Sequence, residues 1–258
     1  MRKRVFKTIN LLLSGLLILI LHFPLLSAHH ASTTVAASAS HTAGILPIDS
    51  MPCAENENSL NTTNVLYESL SLNLMGLSKQ TFDYAMKGFN LLLQQGKLEN
   101  GNIISIIDFS MPSSQKRLFV IDLEKVKVIF NTYVAHGVNS GNAMAREFSN
   151  TPESLKSSLG FYETLQTYSG SHGYSLKLEG LEKGINDNAN SRDIVIHAAA
   201  YVDEAFIRAR GFIGRSWGCP ALPEKLNKPI INTIKDGTCL FLYSPDKSYL
   251  RKSKIINA

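Results

Sequence analysis

A chain of 258 residues with 44% hydrophobic and 18% charged side chains can bury a normal core and does not have the composition of a disordered protein. Part of its formal charge of +5 sits at Arg2, Lys3, Arg4 and Lys7 and part at Arg251, Lys252 and Lys254. Neither cluster is a basic stripe with interleaved aromatics, so the charge points away from nucleic acid and is compatible with polyanionic surroundings such as a cell envelope.

The chain opens with a cationic segment, Met1–Lys7, then an uncharged apolar run, Leu11–Leu21, then Leu26-Ser27-Ala28 as a small-residue cleavage site. This is the layout of a secretory signal, and the run is shorter than the ~20 residues a spanning helix needs. Residues 1–28 are therefore read as a signal peptide or anchor. Membrane association is expected only through this segment if it stays uncleaved. The rest of the chain is expected to be exported, to the periplasm or cell envelope. Residues 29–58, rich in Ala, Ser, Thr and His, read as a flexible spacer in which His29, His30 and His41 are solvated.

Residues 59–258 read as a single domain. Leu66, Leu70, Leu74 and Leu77 recur at helical spacing. Ser78 then caps a helix over Lys79–Gln95, with Phe82, Ala85, Met86, Phe89, Leu92 and Leu93 on one face and Gly96 as its stop. These helices, 59–96, pack on the strands C-terminal to them or cover the site. Strand patterns come next at Asn102–Phe109, Arg117–Asp122, Lys127–Ala135, Leu159–Leu165, Tyr174–Leu178, Asp193–Ala198 and Cys239–Tyr243. Polar loops separate them (HGVNSGNAM, YSGSHG, GINDNANSRD), and a short helix spans Val202–Arg210. The fold class expected is mainly β with helices, preceded by an N-terminal helical stretch.

Three cysteines, Cys53, Cys219 and Cys239, leave at least one thiol unpaired in an exported chain. Cys239 lies in the apolar run TCLFLY, where a buried, inert thiol is expected, and Cys53 in a loop-like context. A disulfide between these two, or one involving Cys219, stays open at this level. The leftover thiol is assigned to Cys219, in the sharply bent GRSWGCP (214–220). There Gly214 and Gly218 permit tight turning and Pro220 fixes the exit.

A cysteine attacks as its thiolate and needs a base. His197, ending the strand DIVIH, is the candidate; the bland alternative is that His197 finishes a strand and Cys219 merely packs. The N–H groups of Gly218 and Cys219 are candidate oxyanion donors, and Ser216 a further donor or orienting group. Arg215 is a candidate clamp for a substrate carboxylate, or else a surface ion pair. Trp217 and Tyr201 are candidate walls of the cleft, and His136 and His172, each followed by Gly, line or brace it.

The His followed by a Ser-Xaa-Gly-Cys turn resembles the YkuD-type L,D-transpeptidases. More closely, the chain resembles the murein L,D-transpeptidase catalytic domain family. The matching pieces are IIDFSMPSSQKRLFVIDL, TYVAHGVNSG, EFSNTPESLKSSLGFYETL, YSGSHGYSLKLEGLEKGINDNA, RDIVIHAAAYV and GRSWGCPALP, in one order between Asn102 and Pro223. The resemblance implies a β-sandwich-like YkuD catalytic domain with Cys219 as acyl-accepting nucleophile and His197 as base. It also implies peptidoglycan stem peptides as substrate and no metal or organic cofactor. Classical YkuD-type members carry a His before the Gly-Cys where this chain has Trp217, and often Gly and Ser or Thr after the base where it has Ala198 and Ala199. A backbone carbonyl is then left to fix the imidazole tautomer. Pro220-Ala221 replaces the usual Arg or Asn beyond the Cys, with Arg215 as the substitute charge. Water as acceptor would make the chain an L,D-carboxypeptidase or endopeptidase. The remaining alternatives are a catalytically silent peptidoglycan-binding module and a zinc hydrolase using His136, His172 and His197, which lack a close-spaced ligand pair.

Overall fold

The computed structural model describes residues 55–258, with side chains from residue 61 onward. The leader, His29, His30, His41 and Cys53 lie outside the described residues. Helix α1 covers Glu55–Ser69, so the last four residues of the expected spacer are helical. The Leu66–Leu77 periodicity outlasts this helix. Residues 70–76 form turns with Ser71 and Gly76 at positive φ; Leu70 and Leu77 are buried, whereas Leu74 is 83% exposed. Helix α2, Lys79–Gln94, is capped as expected: the Ser78 hydroxyl accepts the Thr81 N–H.

Eight strands come after the helices: β1 Ile103–Asp108, β2 Leu118–Asp122, β3 Lys127–Thr132, β4 Gly160–Gly170, β5 Gly173–Gly180, β6 Val195–Ala198, β7 Ala221–Leu222 and β8 Cys239–Tyr243. Helices α3 (Glu204–Arg210), α4 (Glu224–Ile234) and α5 (Lys247–Lys252) lie between and after them. All strands join one sheet in the order β3-β2-β1-β8-β4-β5-β6-β7. Its centre, β1 (IISIID) and β8 (CLFLY), is a parallel pair buried at every position, as expected of strands covered on both faces. Helix α2 presses Gly88 onto β4 so closely that a Cβ there would meet the Phe161 ring at 2.1 Å. Phe161 in turn stacks on Phe241 with ring centroids 4.2 Å apart. The mainly β architecture with helices is as expected, in the form of one continuous sheet.

Two features differ from the strand expectations and both shape the cleft. The chain leaves β3 at Thr132, and Ala135 then bridges to Ala221 of β7 while Gly137 bridges to Ser216. The segment after one edge strand thus reaches the other edge, which requires the sheet to curl into a half-barrel. Second, YSGSHG is not a loop: β4 runs on to Gly170, β5 starts at Gly173, and only Ser171 and His172 turn between them. No helix among the described residues is long and apolar enough to cross a membrane.

Candidate active site

The parallel pairing of β6 with β7 sets His197 opposite Ala221. Cys219 stands two residues before Ala221, so the register brings the imidazole and the thiol to neighbouring positions at the curled edge of the sheet. Both line one cavity of about 700 Å³, within the size range of ligand sites.

The turn that carries the thiol is held from inside. The Ser216 hydroxyl donates to the Cys219 carbonyl (2.6 Å) and accepts the Gly218 N–H (3.1 Å). The Ser216 backbone is bonded to the His136 carbonyl and the Val138 N–H. Gly218 has φ +130°, and a Cβ would sit 3.0 Å from both Ile194 and the Lys156 carbonyl oxygen, so only glycine fits. Its carbonyl accepts the Ser157 hydroxyl at 2.9 Å. This corrects one expectation: the Gly218 N–H is taken by Ser216 and is not a free oxyanion donor, whereas the Cys219 and Val195 N–H groups face the sulfur.

The thiol donates to the Asp193 carbonyl at 3.6 Å. Asp193 has φ +55°, a left-handed conformation that Asp tolerates better than most residues, and this turns the 193–195 backbone toward the sulfur. Burial pushes the Cys219 thiol above its ordinary range, against the Val195 N–H and the Arg192 guanidinium, which pull it down. Arg192 donates to the Ser149 and Lys156 carbonyls and to the Ser158 and Ser154 hydroxyls. It therefore ties the segment from Ser149 to Ser158 against the cleft, and none of these partners neutralises its charge.

His197 is 4% exposed. Its Nδ1–H donates to the Ala198 carbonyl at 2.9 Å, which fixes the tautomer through a backbone carbonyl and leaves Nε2 as the basic atom. Burial holds its pKa below the usual imidazole range and the neighbouring His172 lowers it further, with the carbonyl acting the other way. The thiol is thus shifted up and the imidazole down, so both shifts favour the uncharged forms. His172, at the β4–β5 turn, stacks on His197 with ring centroids 4.4 Å apart and 25° between planes.

Tyr201 lines the cavity, its phenol pushed up to about 12 by burial and by the charge of an ionised Cys219. Its side chain lies against Gly214, where an added Cβ would meet Tyr201 Cβ at 2.4 Å and the ring at 2.6 Å. Arg215 also lines the cavity. Its Nη1 donates to the Gly141 carbonyl (3.1 Å) and to Asn142 Oδ1 (2.6 Å), and its guanidinium lies over Phe212. It is not the surface ion pair weighed as an alternative. Trp217 is 78% exposed at the rim. His136, expected to line or brace the cleft, is 0% exposed and does not line the cavity, although its carbonyl holds the Ser216 N–H of the thiol turn. Its Nδ1 accepts from the buried Arg117 (2.7 Å) and its Nε2–H donates to the Gly141 carbonyl; burial and the Arg117 charge take its pKa down to about 3. His136 is therefore a structural, neutral imidazole. Among the described residues no three His, Cys, Asp or Glu side chains form a metal-holding group. Cys239 is a fully buried free thiol.

Arg192, Asp193 and Tyr168 line the cavity without having been singled out from the sequence. The signal available was the Arg-Asp immediately before the strand that ends in His197. A charged pair at that point is ordinary turn chemistry until the strand order is known.

The chain matches the L,D-transpeptidase catalytic domain family over residues 73–243. No curated protein matches it. Solved structures with similarity include the helical cell shape determining protein Pgp2 from Campylobacter jejuni (TM-score 0.40, 15% identity, 64% of this chain and 57% of that one). Others are an L,D-transpeptidase from Mycobacterium smegmatis (0.34, 10%, 55% and 59%) and one from Mycobacterium tuberculosis H37Rv (0.33, 14%, 55% and 58%). The chain spans less than two thirds of the length of each.

Proposed function

The chain belongs to the L,D-transpeptidase catalytic domain family, and on that premise we propose that it is an exported, cysteine-dependent L,D-transpeptidase acting on peptidoglycan stem peptides. The observation that supports this reading is that Cys219 and His197 line one cavity, with His197 Nδ1 bonded to the Ala198 carbonyl and Nε2 left as the basic atom. His197 Nε2 takes the thiol proton as Cys219 Sγ attacks the carbonyl carbon between an L-centre and a terminal D-residue. The oxyanion that forms is within the field of the Cys219 N–H. Collapse breaks the C–N bond, His197 returns the proton to the departing amine, and a thioester remains on Cys219. An acceptor amine then attacks the thioester, His197 removes its proton, and the thiol is regenerated. These steps call on no metal or organic cofactor. Arg192 and Arg215, neither paired with a carboxylate in the cleft, favour a substrate that carries carboxylates. Export rests on the leader read in residues 1–28.

The test is incubation with a tetrapeptide-stem muropeptide. Intact-mass analysis is expected to find a thioester on Cys219 that is missing in Cys219→Ala, and His197→Ala should slow its formation by at least ~10²-fold. Undiminished turnover in Cys219→Ala would sink the reading. A 3→3 cross-linked dimer identifies an amine acceptor; a trimmed tripeptide identifies water and makes the enzyme an L,D-carboxypeptidase.

A further inference from the structure

The base in this site has one hydrogen bond, from Nδ1 to the carbonyl of its own neighbour Ala198. A single in-plane bond fixes the tautomer but not the tilt of the ring. One face of that ring is covered by His172 at 4.4 Å. His172 is itself exposed, whereas the ring it stacks on is 4% exposed. The hairpin that carries it is anchored rather than free. The Tyr174 hydroxyl donates to Asn232 Oδ1 and Asn227 Nδ2 donates to the Tyr174 carbonyl, both at 2.7 Å, which ties the start of β5 to α4.

We propose that His172 is a positioning residue for His197: stacked on it from the anchored β4–β5 turn, it sets the plane of the basic ring and closes that face to water. The proposal rests on His197 being the base. When His197 takes the thiol proton, the new imidazolium lies against the π-face of the His172 ring, a favourable contact. The other charged or titratable groups around the pair are Cys219, Tyr201 and Arg215 from the turn side, Arg192 and Asp193 ahead of β6, and Tyr168 on the hairpin itself. None of them forms an ion pair with either imidazole.

The test is the pH profile of Cys219 alkylation by iodoacetamide in the full chain, read by peptide mass spectrometry so that Cys53 and Cys239 do not contribute. His172→Ala should lower the plateau rate about tenfold, the order of loss that comes from misplacing a catalytic group. His172→Phe, which keeps a flat ring on His197, should restore most of it. Both variants should move the acid limb to higher pH, because each removes the contribution of His172 that, after burial, lowers the His197 imidazole. A His172→Ala profile identical to wild type in plateau and limb would overturn the proposal. His197→Ala separates the two failures. If it flattens the profile while His172→Ala changes nothing, only the role of His172 falls; if it too changes nothing, the base assignment falls with it.

Discussion

Two histidines of similar sequence context, His136-Gly and His172-Gly, end in opposite states, and the difference is one of surroundings. His136 sits in the core between Arg117 and the Gly141 carbonyl, neutral, with a pKa of about 3. In the unfolded chain an ordinary imidazole titrates near 6.5. A group depressed on folding contributes stability that is present above its unfolded pKa and lost as pH falls toward its folded one. Stability should therefore decline from about pH 6.5 downward, by up to about 1.4 kcal/mol per pH unit for this group. Urea midpoints at pH 7 and pH 5 measure it, and His136→Gln should flatten the dependence. An equal slope in that variant would reassign the effect. His197 contributes in the same direction, so some slope remains.

The elements around the thiol owe their placement to polar stapling as much as to apolar packing. Arg192, at the entrance to β6, gathers Ser149, Ser154, Lys156 and Ser158 while its charge lowers the thiol. Arg192→Lys keeps the charge and loses the fork; Arg192→Ala loses both. The alkylation profile of Cys219 should move to higher pH in Arg192→Ala and much less in Arg192→Lys, while limited proteolysis between Ser149 and Ser158 should quicken in both. A profile unmoved by Arg192→Ala would remove Arg192 from the electrostatics of the site. Strand existence was legible along this stretch because β-branched and aromatic residues alternate with turn chemistry. The ends were less so. β4 continues through Thr167-Tyr168-Ser169-Gly170, polar and small residues that pair with β5 across a register shift, and cross-strand pairing overrides their loop-like composition. Leu74 shows the converse, an apolar residue in helical register that ends up in a turn.

Across the whole molecule, one buried carboxylate joins the end of the chain to the sheet. Glu182, 5% exposed, accepts the Phe161 N–H of β4 and the hydroxyls of Tyr249 and Ser253 from α5 and its end. Burial raises its pKa against these three donors. Glu182→Ala would orphan all of them, each at about 1–3 kcal/mol, and is expected to lower Tm by several degrees with hydrogen exchange first accelerating in α5. A Tm equal to wild type would show that α5 docks without it. Glu182 does not line the cavity that holds Cys219, so Cys219 alkylation at temperatures below unfolding should be unchanged.

The local requirements were readable along the chain. A thiol on a turn that only glycine can make, an imidazole at the end of an apolar strand and a capped amphipathic helix each depend on residues a few positions apart, and local backbone chemistry is written in order. The family pattern was readable for the same reason, as ordered short pieces. Which distant groups meet was not. The curl that joins the segment after β3 to β7 sends His136 into the core beside Arg117, brings Arg192 to the sulfur and lays His172 on His197. Those meetings arise from strand order and sheet curvature, which are properties of long-range pairing with no local signature. Cys219 and His197 were proposed from the sequence, whereas the cavity they share and the ring stacked on His197 came from the folded sheet.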